Sequence, residues 1–257
     1  MDYERTGFPN TASVVGTEVG ASFKGLGDNT SEGDKTCLAF LDKALTQRGP
    51  DSALYMSFGT LMYPDLEHIR YLLEVLMSLE EPIPFIFATA GMRPIVSDEM
   101  AKKVNESGRG LIVPWAPQQA IFLHPATGWA LSHCGAGAMY ESLCQSVPLI
   151  AWPIAVDQPQ HARWMSETLD TAFELLQVRV GLGQKKAFRG GPEGTEIVGT
   201  EEAIKAEIRD VLKRCKSEEG HRKRANAKRV KQQIKEARTA GGQIDQHYEL
   251  LRQAIVV

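Results

Sequence analysis

Apolar positions along the chain fall into short blocks separated by longer amphipathic stretches. Residues 53–58 form a nearly unbroken apolar run closed by Gly59, the pattern of a strand buried on both faces. Pro64 stands where a helix would begin, and Leu66, Ile69, Leu73 and Leu76 then recur at helical spacing. The same reading predicts strands at 83–88, 110–114, 129–132 and 148–152, with helices at 117–123, 136–146 and 157–168 between them. Past residue 200 the pattern is helical. A segment over 200–213 opens on the capping residue Thr200 with Glu201 and Glu202 in its first turn. A long polar helix follows over 217–238, and a last one over 243–255. Ahead of the first strand, Leu38, Leu41 and Leu45 mark one face of a short helix over 37–45. Residues 1–35, glycine-rich among Ser, Thr, Asn and acids, read as a linker or partly extended lead-in.

Strands alternating with helices imply an α/β fold with a parallel sheet covered on both faces. Ligands in such folds bind beyond the carboxyl ends of the strands, which places Gly59, Pro114, Trp115, His133 and Pro153 on one rim.

Composition narrows the function classes. The 257 residues are 43% apolar, enough to bury a sizeable core. A net charge of −3 gives no reason for attraction to nucleic acid or anionic lipid. No run of about 18 apolar residues could span a membrane, and the polar start Met1-Asp2-Tyr3-Glu4 does not read as a signal peptide. Cys37, Cys134, Cys144 and Cys215 show neither paired nor metal-ligand spacing, so reduced thiols in a cytoplasmic protein are expected. The basic stretch over 213–238 is diluted by Glu218, Glu219 and Glu236 and has no aromatic residue, so it reads as a solvated face rather than a nucleic-acid or membrane helix.

Candidate chemistry concentrates over 115–158. The turn from Ser132 to Ala138 leaves a strand and opens a helix. Its free N–H groups and small residues suit a diphosphate, although such glycines also serve tight strand–helix packing. His133 could donate to a phosphate oxygen or be structural. Glu141, one turn into that helix, could accept from two ribose hydroxyls or be a solvated charge. Trp115 could stack a base or lie in the core, and Gln118 could bond base or ribose. Asp157 and Gln158 set a carboxylate beside an amide, a pairing suited to sugar hydroxyls, while Asp157 also fits a helix N-cap.

Taken together these groups resemble the signature box of family 1 UDP-dependent glycosyltransferases, best known from plant secondary metabolism. Trp115-Ala116-Pro117-Gln118, His124, His133-Cys134-Gly135, Glu141-Ser142, Val147-Pro148, Trp152-Pro153 and Asp157-Gln158 stand at the spacing of that box. Tyr55 to Thr60 resembles the family's first-strand motif, and Cys37 to Asp42 the segment before it, so the likeness covers about residues 37–257.

The resemblance implies the Rossmann-like C-terminal domain of a GT-B enzyme: a lead-in with a short helix over 1–50, a UDP-sugar-binding domain over 51–238, and a closing helix over 239–257. It implies that Trp115 stacks on uracil with the Ala116 backbone at its edge, and that Gln118 and Glu141 hold the ribose. The diphosphate falls to His133, Gly59, Thr60, Gly135 and the Gly137 and Ala138 amides, and the hexose to Asp157 and Gln158. UDP-glucose is the expected donor; no metal and no further cofactor are expected.

Two departures stand out. Plant members carry Trp-Asn-Ser where this chain has Ala136-Gly137-Ala138, which removes two side-chain donors. No His precedes His68, so the family's general base, carried by its acceptor-binding N-terminal half, has no counterpart. The chain is therefore expected to be the donor half alone, a truncated product or one subunit of a split enzyme. It would be completed by an acceptor domain or by self-association through an apolar strip of Tyr248, Leu251 and Ile255.

Overall fold

The computed structural model describes residues 31–90, 95–181 and 185–255. Most of the lead-in, residues 1–30, lies outside them. The first helix, α1 (Glu32–Arg48), is longer at both ends than the 37–45 expected, because Ser31 and Asp34 form a capping box that starts it earlier. Then come β1 (Ala53–Ser57), α2 (Leu66–Ser78), β2 (Phe85–Ala88), α3 (Asp98–Ser107), β3 (Gly110–Val113), α4 (Gln118–Leu123), β4 (Thr127–Ser132), α5 (Ala136–Gln145), β5 (Leu149–Ala151) and α6 (Gln158–Arg163). A π-helical turn over Trp164–Thr168 extends α6. The rest is β6 (Ala172–Glu174), a small hairpin β7 (Lys186–Ala187) and β8 (Thr195–Glu196), α7 (Glu201–Arg214), α8 (Glu218–Ala237) and α9 (Gln243–Ile255).

The main sheet has the order β3-β2-β1-β4-β5-β6 and every pairing in it is parallel. This is the doubly wound arrangement, with its switch point between β1 and β4. Alternation within β1 divides the core. Leu54 and Met56 face the layer of α2, α3 and α7, where Ile69, Leu73, Val104 and Ile208 pack. Ala53 and Tyr55 face the layer of α1, α4, α5, α6 and α8, with Leu41, Ile121, Leu143, Ala162 and Val230. Each fully buried Leu, Ile or Phe contributes roughly 1.5–3 kcal/mol of transfer free energy, so the two layers hold the strand ends in a fixed frame.

The polar stretch over 213–238 is less solvated than its composition implies. Lys223 is buried and reaches Asp170 at 2.6 Å, beside Arg222 at 2.8 Å. Arg224 pairs with Asp51 at 2.9 Å. These cations fasten α8 to the start of β1 and the turn before β6. By contrast α9 buries no residue, and Tyr248, Leu251 and Ile255 are exposed on it. No helix among the described residues is long and apolar enough to cross a membrane.

Candidate donor-nucleotide site

The switch point separates the loops after β1 and β4, and His133 closes the gap between them. Gly59 has a φ of +70°, and a Cβ added there would come within 2.9 Å of the His133 ring. A Cβ on Gly135 would meet Nε2 of the same ring at 2.5 Å. The imidazole therefore occupies a slot that only two glycines leave open. Burial lowers the His133 pKa; a hydrogen bond to the Ser57 backbone and the charge of Asp157 oppose that shift.

Gly135 is the N-cap of α5 and supplies no side-chain cap. Ala136 and Gly137 are exposed beyond it, so the first amides of a ten-residue helix open onto the rim beside His133. The turn is shaped by Cys134, whose φ is +61° and whose buried amide bonds Ser132 Oγ at 3.3 Å. His161 Nδ1 donates to the Cys134 carbonyl at 3.0 Å, fixing the turn from α6.

A second group forms where α4 meets α5. Tyr55, buried in β1, donates its hydroxyl to Gln118 Oε1 at 3.1 Å. The Gln118 amide in turn donates to a Glu141 carboxylate oxygen. Three elements thus join in one polar chain across 63 residues between Tyr55 and Gln118. Trp115, just outside the end of β3, is 62% exposed and so is not a core residue. Ala116 is partly buried against the α1 layer, and Thr60 is exposed on the β1 loop.

The loop after β5 carries the third group. Gln158 is buried, and its Oε1 accepts from the Ile154 and Ala155 amides at 2.8 and 3.1 Å, bracing the turn from within. Its amide nitrogen points to Met62 Sδ at 4.0 Å, which leaves one N–H of that group for a ligand. Asp157 takes the N-cap position of α6 yet makes no capping bond; its exposed carboxylate lies 3.8 Å from His161 Nδ1 on that helix. Val156 before it is exposed and has a φ of +59°, a strained geometry for a β-branched residue.

One residue of the box lies elsewhere. His124 is buried at the end of α4, accepts the Ala126 amide at Nδ1, and so donates from Nε2 to Asp42 on α1 at 3.1 Å. It is a structural tie. Among the described residues no three His, Cys, Asp or Glu side chains gather as a metal would require.

A doubly wound sheet with an open helix N-terminus at its switch point defines a class of anion-accepting Rossmann-like sites. Comparison with known proteins narrows it. The family described as UDP-glucoronosyl and UDP-glucosyl transferase matches residues 32–179, more than half of the chain. The UDP-glycosyltransferase eriJ of Hericium erinaceus is 36% identical over 191 residues, covering 74% of this chain and 37% of that relative. The anthocyanin 3'-O-beta-glucosyltransferase of Gentiana triflora is 30% identical over 217 residues, covering 80% and 40%. Among solved structures, Os79 from O. sativa in complex with U2F and trichothecene aligns with a TM-score of 0.65 at 26% identity, over 92% of this chain and 48% of that one. Os79 in complex with UDP aligns with a TM-score of 0.63 at 27% identity, over 82% and 41%. The chain belongs to the UDP-glycosyltransferase family and has the Rossmann-like fold of GT-B enzymes. It spans less than half the length of these relatives.

Proposed function

We propose that the chain is the donor-binding half of a UDP-glycosyltransferase and holds a UDP-hexose along the rim from β3 to β5. The observation that carries this reading is the His133 ring seated between Gly59 and Gly135 beside the open N-terminus of α5. That arrangement suits a diphosphate, since the free backbone amides at a positive helix end open beside the imidazole. The exposed Trp115 face, with the Ala116 backbone beside it, takes uracil. The Gln118–Glu141 pair takes the ribose, and Asp157 with the Gln158 amide takes the hexose. Thr60 and the Gly137 and Ala138 amides complete the diphosphate seat. Glucose is the hexose put forward, because the box ends in Gln158.

The proposed reaction transfers the hexosyl group to an acceptor hydroxyl with inversion. A base on an acceptor-binding domain removes the hydroxyl proton, the oxygen attacks the anomeric carbon, and UDP leaves. The part of this chain is electrostatic: His133 and the α5 N-terminus stabilise the charge that grows on the departing diphosphate. The exposed apolar residues of α9 suit contact with that second domain. The four buried free thiols suit a reducing cytoplasm.

Titration calorimetry with UDP and UDP-glucose tests the site. Micromolar-to-millimolar binding that a Trp115→Ala, Glu141→Ala double variant abolishes is the expected result; no binding by the folded chain would overturn it. A second reading, UDP-sugar binding without catalysis, is favoured by one observation. The turn Ala136-Gly137-Ala138 has no side-chain donor to phosphate. Activity on mixing with an acceptor-binding domain separates the two.

A further inference from the structure

Outside the signature box, a buried charge cluster lies behind the turn that carries Asp157 and Gln158. Glu174, at the end of β6, has a side chain only 4% exposed. Arg189, on the β7–β8 hairpin and 13% exposed, reaches it with Nε at 2.6 Å and Nη2 at 3.2 Å. Arg179 adds a third contact at 2.6 Å. The same Arg189 Nη2 also donates to the Pro159 carbonyl at 2.8 Å. One planar guanidinium thus joins three elements: the hairpin, the end of β6 and the first turn of α6.

The hairpin is held at its other stem as well. Gln177 Oε1 accepts the Val198 and Gly199 amides at 2.8 and 3.1 Å, and its Nε2 donates to the Glu196 carbonyl at 3.1 Å. Glu207 on α7 accepts the Leu176 and Gln177 amides, both at 2.8 Å. Arg189 therefore presents its fork from a clamped support. Gln158 Oε1 braces the β5–α6 turn from inside, and Arg189 braces it from outside, one residue further along. Asp157 stands immediately before both, with no capping bond and its carboxylate 3.8 Å from His161 Nδ1.

We propose that Arg189 is a positioning residue for the hexose end of the donor site, fixing the Asp157–Gln158 turn through the Pro159 carbonyl. The proposal rests on the assignment of Asp157 and Gln158 to the hexose made above. A buried fork that bonds a carboxylate and a carbonyl together cannot be replaced by lysine, which carries a point charge and lacks the planar geometry. The hairpin then acts on the sugar and leaves the nucleotide alone, since its contacts reach only the β5–α6 side of the rim.

The test compares dissociation constants for UDP and for UDP-glucose by calorimetry on the full chain carrying Arg189→Ala, Arg189→Lys or Asp157→Ala. Expected is UDP affinity within about twofold of the parent in all three, with the UDP-glucose to UDP ratio of dissociation constants rising about tenfold. A general loosening of the fold would weaken both ligands together and leave the ratio unmoved. Arg189→Lys keeps the charge beside Glu174, so it reports even where Arg189→Ala fails to fold. A shifted ratio in Asp157→Ala with an unshifted one in both Arg189 variants overturns the positioning role and keeps the hexose assignment. An unshifted ratio in Asp157→Ala overturns the hexose assignment, and the positioning role with it.

Discussion

Gly59 and His133 are in contact across the switch point of the sheet, with no room between them for a single methyl group. Gly59→Ala is disfavoured twice, by its φ of +70° and by the 2.9 Å approach of the new Cβ to the imidazole. The backbone strain is on the order of 1 kcal/mol, small against a domain of this size. The clash must be relieved by moving the ring. Gly59→Ala is therefore expected to leave the chain folded while weakening UDP at least tenfold, close to the effect of His133→Ala. Calorimetry with a circular dichroism melt for each variant checks both halves of that statement.

Tyr55 acts on the same rim from below. Its hydroxyl takes one side of the Gln118 amide and so turns the other side toward Glu141. Tyr55→Phe keeps the ring packed edge-on against Phe122 and removes only that donor. A lost neutral hydrogen bond of this kind costs about 1 kcal/mol. If Gln118 and Glu141 hold the ribose, the variant should lose part of the preference for UDP over 2′-deoxy-UDP, roughly fivefold. An unchanged preference with weaker binding of both would place Tyr55 in the fold alone.

How much of this was legible in the sequence depends on how far apart the contacting residues stand. Strands such as β1 and β4 announced themselves through buried apolar runs, and the rim positions followed from the rule that ligands sit at strand carboxyl ends. Helix α3 did not, because its core-facing stripe is a single turn, Met100, Ala101 and Val104, in an otherwise polar ten-residue segment. Strand β6 has three residues and the hairpin strands two each, too short for a periodicity. The contacts that order the site, Tyr55 with Gln118, Gly59 with His133 and Arg189 with Pro159, join residues on different elements. No spacing rule connects them. Nor did the spacing of the box assign a role to His124, which the structure makes a tie between α4 and α1.

The turn Ala136-Gly137-Ala138 invites a gain of function. A Cβ on Gly137 would meet nothing within 4 Å, so a larger side chain fits without displacement. Gly137→Asn with Ala138→Ser would restore two donors beside the α5 N-terminus. Hydrogen bonds to a charged group are worth about 1.5–3 kcal/mol each, less what solvent exposure removes. UDP affinity is expected to rise about tenfold, with little net change in helix propensity because Ala138→Ser offsets the loss of the glycine. Failure of UDP to bind more tightly would show that the diphosphate does not reach this helix end.

Stability should depend on pH through Glu207. Burial pushes its carboxyl up to about 7, against the two backbone amides that favour the ionised form. The folded chain therefore holds this proton more tightly than the unfolded chain, whose carboxyl titrates near 4.5. The stabilisation is full below pH 4.5 and is lost as the pH rises through 7, by an amount on the order of 3 kcal/mol. His133 works the other way: burial lowers its pKa, so it costs stability as the pH falls below 6.5. Comparison with Glu207→Gln cancels the histidine, because both chains retain it. Urea denaturation at pH 5.5 and pH 8 should show the parent losing its advantage over Glu207→Gln as the pH rises. An advantage that stays constant between the two would mean that Glu207 is ionised throughout, held so by the Leu176 and Gln177 amides.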